Sequence, residues 1–278
     1  MKSSLSVIIL SYNERLHIRR CIENVRTIAS EIFVVDCHSS DGTQDIVRSC
    51  GATLVEHDWP GNQAEQMNWA LTHLPIMGEW VLRLDADEYL SDALIKELGA
   101  RLHELDSEVS GVAFPRKVVF LGHKLRFGRT SVNLLRLWRR GKAVCETKKM
   151  DEHMVVLEGR VARFRGEFID HNQNTLVWWT QKHLGYAQRE LADLTEDSSI
   201  TGHLPKEVAQ QRRIKAFYIR LPLFWRSLAY FLFRYFLFLG FLDGKAGFLW
   251  AFLQGLWYRT FVDALLFDEA RRKKMLKS

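Results

Sequence analysis

Trp80-Val81-Leu82-Arg83-Leu84-Asp85-Ala86-Asp87-Glu88-Tyr89 is the stretch on which the fold turns. A mostly apolar run of strand length stops abruptly at three carboxylates. Such a run reads as a buried strand. Crowded carboxylates at its end need a positive partner, and a hard divalent cation is the usual one. Residues two apart on a strand point the same way, so Asp85 and Asp87 are expected to face one site. In open α/β sheets that site lies beyond the carboxyl ends of the strands. Alone, an Asp-x-Asp pair reads more readily as a solvated acidic turn, so the neighbouring segments have to decide.

Upstream, strand-like and helix-like patterns alternate. Leu5-Ser-Val-Ile-Ile-Leu10 is a β-rich run that ends at Ser11-Tyr12-Asn13-Glu14. Ile18, Cys21, Ile22, Val25 and Ile28 then follow helical spacing. Residues 31–36 form a second strand pattern, Asp41-Gly42-Thr43 opens a second helix, residues 52–56 form a third strand, and a helix is expected over about 63–73. Short links between such elements imply parallel strands with right-handed crossovers. No Gly-x-Gly-x-x-Gly follows the first strand, so this is not an ordinary dinucleotide fold.

Downstream, Ser91 is a plausible N-cap for a helix over 91–105. Between 110 and 165 short strand-like pieces (112–114, 118–120, 134–138, 154–157) are punctuated by glycines, which suggests a mixed-sheet half. Residues 174–198 read as a helix. The domains expected are residues 1–105 as a nucleotide-binding α/β half, 106–211 as a mixed-sheet half that shapes a second pocket, with its helix, and 212–278 as a helical tail.

Composition separates that tail from the rest. The 278 residues are 47% hydrophobic and 12% aromatic, with net charge +6. Residues 212–278 hold 13 Lys/Arg against 4 Asp/Glu and are dense in Phe, Leu and Trp. Basic and aromatic together suggest an anionic membrane surface rather than nucleic acid. The most apolar piece, residues 228–242, is about 15 residues, short of the roughly 20 that span a bilayer. Arg226, Tyr230 and Arg234 share one helical face, which reads as a basic stripe on a helix lying in the interface. The alternative is that these helices pack against protein. Four cysteines without Cys-x-x-Cys spacing argue against a disulfide framework or zinc site and for a reduced, cytoplasmic setting. The first residues run straight into a strand pattern, so no secretory leader is expected.

The ordered set Ser6-Val-Ile-Ile-Leu-Ser-Tyr-Asn-Glu14, Val34-Val-Asp36 with Ser40-Asp-Gly-Thr43, Asn68-Trp-Ala-Leu71 and Trp80 to Glu88 resembles family 2 glycosyltransferases. Phe114-Pro-Arg, Phe120-Leu-Gly122, Leu135-Arg-Leu-Trp-Arg-Arg140 and Glu152-His-Met-Val-Val156 extend the likeness toward the bacterial β-1,4-glucosyltransferases of the lipopolysaccharide core. The resemblance covers roughly residues 4–200. It implies a GT-A fold, a parallel and mixed sheet flanked by helices, here with membrane-interface helices at the C-terminus. It also implies inverting transfer of one hexose from a UDP-sugar to a lipid-linked glycan, with Mg²⁺ or Mn²⁺, at the cytoplasmic face of a bacterial inner membrane.

Roles carried over by resemblance are as follows. Asp36 would bind the uracil or ribose, with Asn13 and Glu14 lining the same pocket. Asp85 would orient the ribose or a metal-bound water, and Asp87 would ligate the metal. Glu152 would be the general base, with Asp151 as the alternative. His171 would approach the metal or diphosphate. Met67 stands where the family commonly has a basic residue, so no phosphate contact is expected there. Arg136, Arg139 and Arg140 would either meet acceptor phosphates or form a solvated face of an edge strand. Glu88 is expected to face away from Asp85 and Asp87. Two other readings compete: a sugar nucleotidyltransferase, which normally needs a Gly-rich, Lys/Arg-containing loop after strand one, and a non-catalytic, membrane-bound sugar-nucleotide binding protein.

Overall fold

A computed structural model describes residues 4–146, 152–195 and 218–276. The chain forms two compact units, one of residues 1–124 and 130–174, the other of residues 125–129 and 175–278.

The first unit is the expected α/β layer. β1 (Leu5–Ser11) pairs in parallel with β2 (Glu31–Asp36) on one side and β4 (Trp80–Asp85) on the other, and β3 (Thr53–Glu56) extends the sheet beyond β2. Every residue of β1 is buried because both faces are covered. Val7 and Ile9 join one core with Ile18, Cys21, Ile22 and Val25 of α1 (Ile18–Val25). Ile8 and Leu10 join another with Ala64, Met67 and Ala70 of α3 (Gln63–His73), where α2 is Thr43–Ser49. Each fully buried Leu, Ile or Val contributes about 1.5–3 kcal/mol, so period-two alternation drives this layering directly. Ser91 caps α4 (Asp92–Arg101) by accepting from the Leu94 amide, as expected. Met67 is fully buried and offers nothing to a phosphate.

Beyond β4 the sheet turns mixed. The order is β3-β2-β1-β4-β8-β6-β12-β5, with β5 Glu88–Leu90, β6 Val109–Phe120, β8 Val132–Arg139 and β12 Phe168–Asp170. β7 (His123–Lys124) and β11 (Arg160–Arg163) pair with β6, while β9 (Ala143–Cys145) and β10 (Met154–Val156) form a separate hairpin. Two short strands expected over 112–120 are one strand of 12 residues. It tolerates Pro115 because that residue falls where the neighbour on one side changes from β11 to β12. β8 lies between β4 and β6, so it is not the edge strand that its alternating arginines suggested.

In the second unit α5 (Leu176–Thr195) packs with the tail helices. The domain boundary expected near 211 falls outside the described residues. α6 (Trp225–Leu232) continues through a wider-pitched stretch, Phe233–Leu237. After a short turn of helix, Gly240–Asp243, the chain returns through α7 (Gly244–Trp250), a second wide stretch Ala251–Trp257, and α8 (Tyr258–Met275). One expectation is reversed here. Arg226 is buried and donates to Asp263, Arg234 donates to the Gly128 carbonyl, and Tyr230 packs between the Arg234 and Arg259 guanidiniums. The stripe faces the interior because its anionic partner arrives from the returning helix, far away in sequence. No single described helix is long and apolar enough to cross a membrane.

Candidate active site

Strand register builds the rim of the site. Ser11 lies opposite Asp36, and Leu10 opposite Asp85, so the carboxyl ends of β1, β2 and β4 finish side by side. Asp36 is fully buried. Its Oδ1 accepts from the Ser39 amide at 2.7 Å and Gln44 at 3.0 Å, and its Oδ2 from the Ser39 hydroxyl at 2.6 Å. A carboxylate has about four lone-pair positions, so these bonds orient Asp36 without exhausting it.

The loop after β1 is tied to the loop after β2. Asn13 sits in the left-handed region at φ 53° and its side chain accepts from the Ser40 amide. The amides of Asn13, Glu14 and Arg15 donate to Ser39 Oγ, Thr43 Oγ1 and Asp41 Oδ2 at 2.7, 2.8 and 3.1 Å. Ser39–Thr43 is therefore turn and helix start, as read from sequence. Glu14 accepts from His17 Nδ1 at 2.5 Å, and His17 Nε2 accepts from the Gln173 amide. The three loop amides that a phosphate would need are thus already bonded to side chains, which weighs against triphosphate binding here.

Asp85 and Asp87 do not share a face by strand alternation. β4 ends at Asp85, and Ala86–Asp87 form a turn into β5. Asp85 is flanked by two buried arginines: Arg83 Nη2 lies 3.4 Å from Oδ1 and Arg136 Nη2 3.3 Å from Oδ2. Glu88, expected to face elsewhere, joins this cluster. It accepts from Arg136 at 2.6 Å with one oxygen and from the Asp85 amide at 2.9 Å with the other. Burial pushes the Glu88 carboxyl up, and Arg136 pulls against it. Both oxygens face N–H donors, so the geometry is that of an ionised pair. Asp85 Oδ2, Glu88 and Arg136 therefore act as one unit, and the solvated-face alternative for Arg136 does not hold. Arg139 instead donates to the Val109 carbonyl and lies over Trp80, and Arg140 donates to the Ile76 carbonyl.

Asp87 accepts from Asn172 at 3.0 Å. Its carbonyl takes the His171 amide and Arg20 Nη2. Arg20, on α1, also donates to the His171 carbonyl at 2.8 Å, contacts His171 Nδ1 at 3.1 Å and lies over the Tyr89 ring. Arginine can only donate, so Nδ1 is the acceptor and the proton of the neutral ring sits on Nε2. In this geometry His171 offers an N–H. Ligating a metal through Nε2 would require the proton to move and the Arg20 contact to open. Burial, and then Arg20, hold its pKa below the usual value. Arg20 and Arg83 were missed in the sequence; Arg83 interrupts the apolar run of β4, which was the available signal, whereas Arg20 lies off the apolar stripe of α1 and offers none.

Glu152 precedes β10. Asp151 lies outside the described residues. Asn68 on α3 fixes the partner strand β9, donating to the Cys145 carbonyl and accepting from its amide, both at 2.8 Å. Burial pushes the Cys145 thiol up to about 11, Arg83 acting against this and Glu152 with it. Glu152 thus lies within electrostatic reach of the same Cys145 that Arg83 approaches. No group of three or more His, Cys, Asp or Glu side chains converges as a ready metal site among the described residues. The donor set nonetheless fits Mg²⁺ or Mn²⁺, which commonly use one or two carboxylates and complete their shell with water and substrate phosphates. Asp87, with one carboxylate oxygen on an amide, suits that role better than Asp85, which is held by two guanidiniums. The four cysteines are free.

Comparison with known proteins follows this geometry. The family described as Glycosyl transferase family 2 matches residues 6–165. The chain is 32% identical over 177 residues to the lipopolysaccharide core biosynthesis glycosyltransferase LpsC of Rhizobium meliloti (strain 1021), a match of 59% of this chain and 61% of that protein. It is 35% identical over 98 residues to an uncharacterized glycosyltransferase of Rickettsia bellii (strain RML369-C), a match of 35% of this chain and 32% of the relative. The chain therefore spans less than two thirds of either relative. Among solved structures, S. aureus TarS 1–349 aligns at TM-score 0.46 and 15% identity over 98% of this chain and 92% of that one. The family match takes in more than half of the chain, and the protein belongs to glycosyl transferase family 2.

Proposed function

We propose that the protein is an inverting, metal-dependent transferase that moves one hexose from a UDP-sugar to a lipid-linked glycan of the lipopolysaccharide core. The observation that carries this reading is the alignment of Asp36, Asp85 and the Asp87 turn along the ends of β2 and β4. The relative named for lipopolysaccharide core biosynthesis supports the acceptor class. Asp36 takes the uracil or ribose, and Asn13 and Glu14 brace the loop beside it. Asp87 would hold Mg²⁺ or Mn²⁺, and Asp85, clamped by Arg83 and Arg136, would orient the ribose or a water on that ion. When bound, the cation offsets the charge that develops on the leaving diphosphate. Glu152 removes the proton from the acceptor hydroxyl as its oxygen attacks the anomeric carbon. The anomeric C–O bond breaks with its electron pair leaving on the diphosphate, and configuration inverts. The exposed apolar side chains of the basic tail support a seat on an anionic membrane surface, read here as the cytoplasmic face of a bacterial inner membrane.

The test is turnover of a panel of nucleotide sugars with Mn²⁺ or Mg²⁺ and a core-glycolipid extract. Transfer should require a UDP-linked sugar as donor, and Asp87→Ala should lower it by at least about a hundredfold. Unchanged turnover in that variant sinks the metal assignment. Donor binding without turnover on every acceptor would instead favour a sugar-nucleotide binding protein.

A further inference from the structure

The second unit buries ion pairs beside a small apolar core of Ala187, Tyr258 and Val262, and it leaves large apolar side chains exposed. Arg226 and Asp263 are 3% and 1% exposed and bonded to each other, and Ser227 meets Thr260 beside them. Glu190 is buried and accepts from Tyr258 and Arg259, each at 2.7 Å. Outside, the turn that joins α6 to its return carries Phe236 (57% exposed), Leu237 (68%), Leu239, Phe241 and Leu242 (53%). Turns in water are usually built from Gly, Pro, Asn, Asp and Ser. Here Phe236-Leu-Phe-Leu-Gly-Phe-Leu242 holds five exposed large apolar side chains and no charge.

The same turn is bonded internally in a way an aqueous loop does not need. The amides of Phe238, Leu239 and Leu242 donate to the carbonyls of Phe233, Phe236 and Leu239. The Phe238 carbonyl accepts from the Gly128 amide, and the Gly128 carbonyl accepts from Arg234. The next residue, Asp243, is buried and takes the amides of Arg126 and Phe127. Gly240 and Gly247 let the two arms meet: a Cβ on Gly247 would lie 2.2 Å from the Gly240 carbonyl oxygen. Backbone satisfied from within is the condition for irregular chain inside hydrocarbon. The same unit carries exposed cations, Lys245 just past the turn and Arg271, Arg272, Lys273 and Lys274 at the end of α8, where Asp268 and Glu269 pair with three of the four. That charge matches anionic headgroups.

Building on the membrane reading above, we infer that the 236–242 turn is a bilayer anchor that inserts below the headgroups, its partner an anionic lipid bilayer. α6 and its continuation, Trp225–Leu237, are 13 residues long, about 20 Å of helix, against about 15 Å of hydrocarbon in one leaflet. Such a hairpin is long enough to enter one leaflet and return.

The experiment is flotation of the full chain with phosphatidylcholine vesicles containing roughly a third phosphatidylglycerol, at low and high salt. The wild type is compared with Leu237→Glu/Leu242→Glu, whose side chains are solvent-exposed, so circular dichroism should be unchanged. The expected result is salt-resistant binding by the wild type and a loss of at least about tenfold in the variant. Binding that high salt abolishes and that the variant retains in full overturns insertion while leaving the surface reading standing. Failure of the wild type to float overturns both. A wild type that sediments as a dimer, becomes monomeric in the variant and binds vesicles equally well shows that a second copy covers the turn, and overturns insertion.

Discussion

Arg136→Met removes the cation from the buried cluster behind Asp85. Arg136 Nη2 lies 2.6 Å from Glu88 and 3.3 Å from Asp85, and both Arg136 and Glu88 are buried. Removing one partner of a buried ion pair costs about 3–5 kcal/mol, because the other charge stays without compensation. In a domain of this size each kcal/mol moves the melting temperature by roughly 2–4 °C, so a fall of roughly 6–20 °C is expected. Glu88→Leu alone should lose stability in the same range, since Arg136 keeps only the longer Asp85 contact. The combined Arg136→Met/Glu88→Leu variant removes both charges together. Its loss should fall short of the sum of the singles by at least about 2 kcal/mol, a coupling typical of residues in one network. Urea denaturation of the four proteins measures the cycle. A loss under about 1 kcal/mol in Arg136→Met, or additivity within about 0.5 kcal/mol, would refute the ionised buried pair.

Four further outcomes are expected. A Cβ on Gly166 would stand 2.4 Å from Leu94 Cα, so Gly166→Ala should cost about 2 kcal/mol or more in denaturant melts. Gly111→Ala should cost less, because its closest contacts, Leu135 Cδ1 and Val156 Cγ2, belong to side chains that can move. Asn68→Leu strands the amide and carbonyl of Cys145 and should lose roughly 2–4 kcal/mol, measured the same way. His183, stacked on Trp179 at 3.5 Å, is pushed by burial from 6.5 down to about 4. The unfolded chain therefore takes up a proton near pH 6.5 that the folded chain refuses until about pH 4. Stability should be level above that window and fall by roughly 3 kcal/mol as pH drops through it. Thermal melts across the window should show a smaller fall for His183→Gln than for the wild type.

Much of the first unit was legible along the chain. The alternation in Leu5–Ser11 and the helical spacing of Ile18, Cys21, Ile22 and Val25 are local patterns that report local structure. The helix over 63–73 and the Ser91 cap were legible for the same reason. Glu88 was misplaced because strand alternation stops at Asp85, where the chain turns. The edge-strand alternative for Arg136, Arg139 and Arg140 failed because nothing local says whether a strand is central or at an edge. Neither the Glu152 nor the Asp87 assignment follows from pattern alone; both were carried by the family resemblance.

The sequence by itself determined the α/β layering, the acidic strand end and the apolar, basic character of the tail, since each depends on residue type and spacing within a few turns or strands. The tertiary structure alone decided which charges meet. Arg136 reaches Asp85 because β8 lies beside β4, Arg20 reaches His171 because α1 packs near the end of β12, and the 226/230/234 stripe turns inward because Asp263 returns beside it. Those pairings join residues 37 to 151 apart in the chain. Burial of a charge is stable only where its partner comes with it, and that is a property of packing.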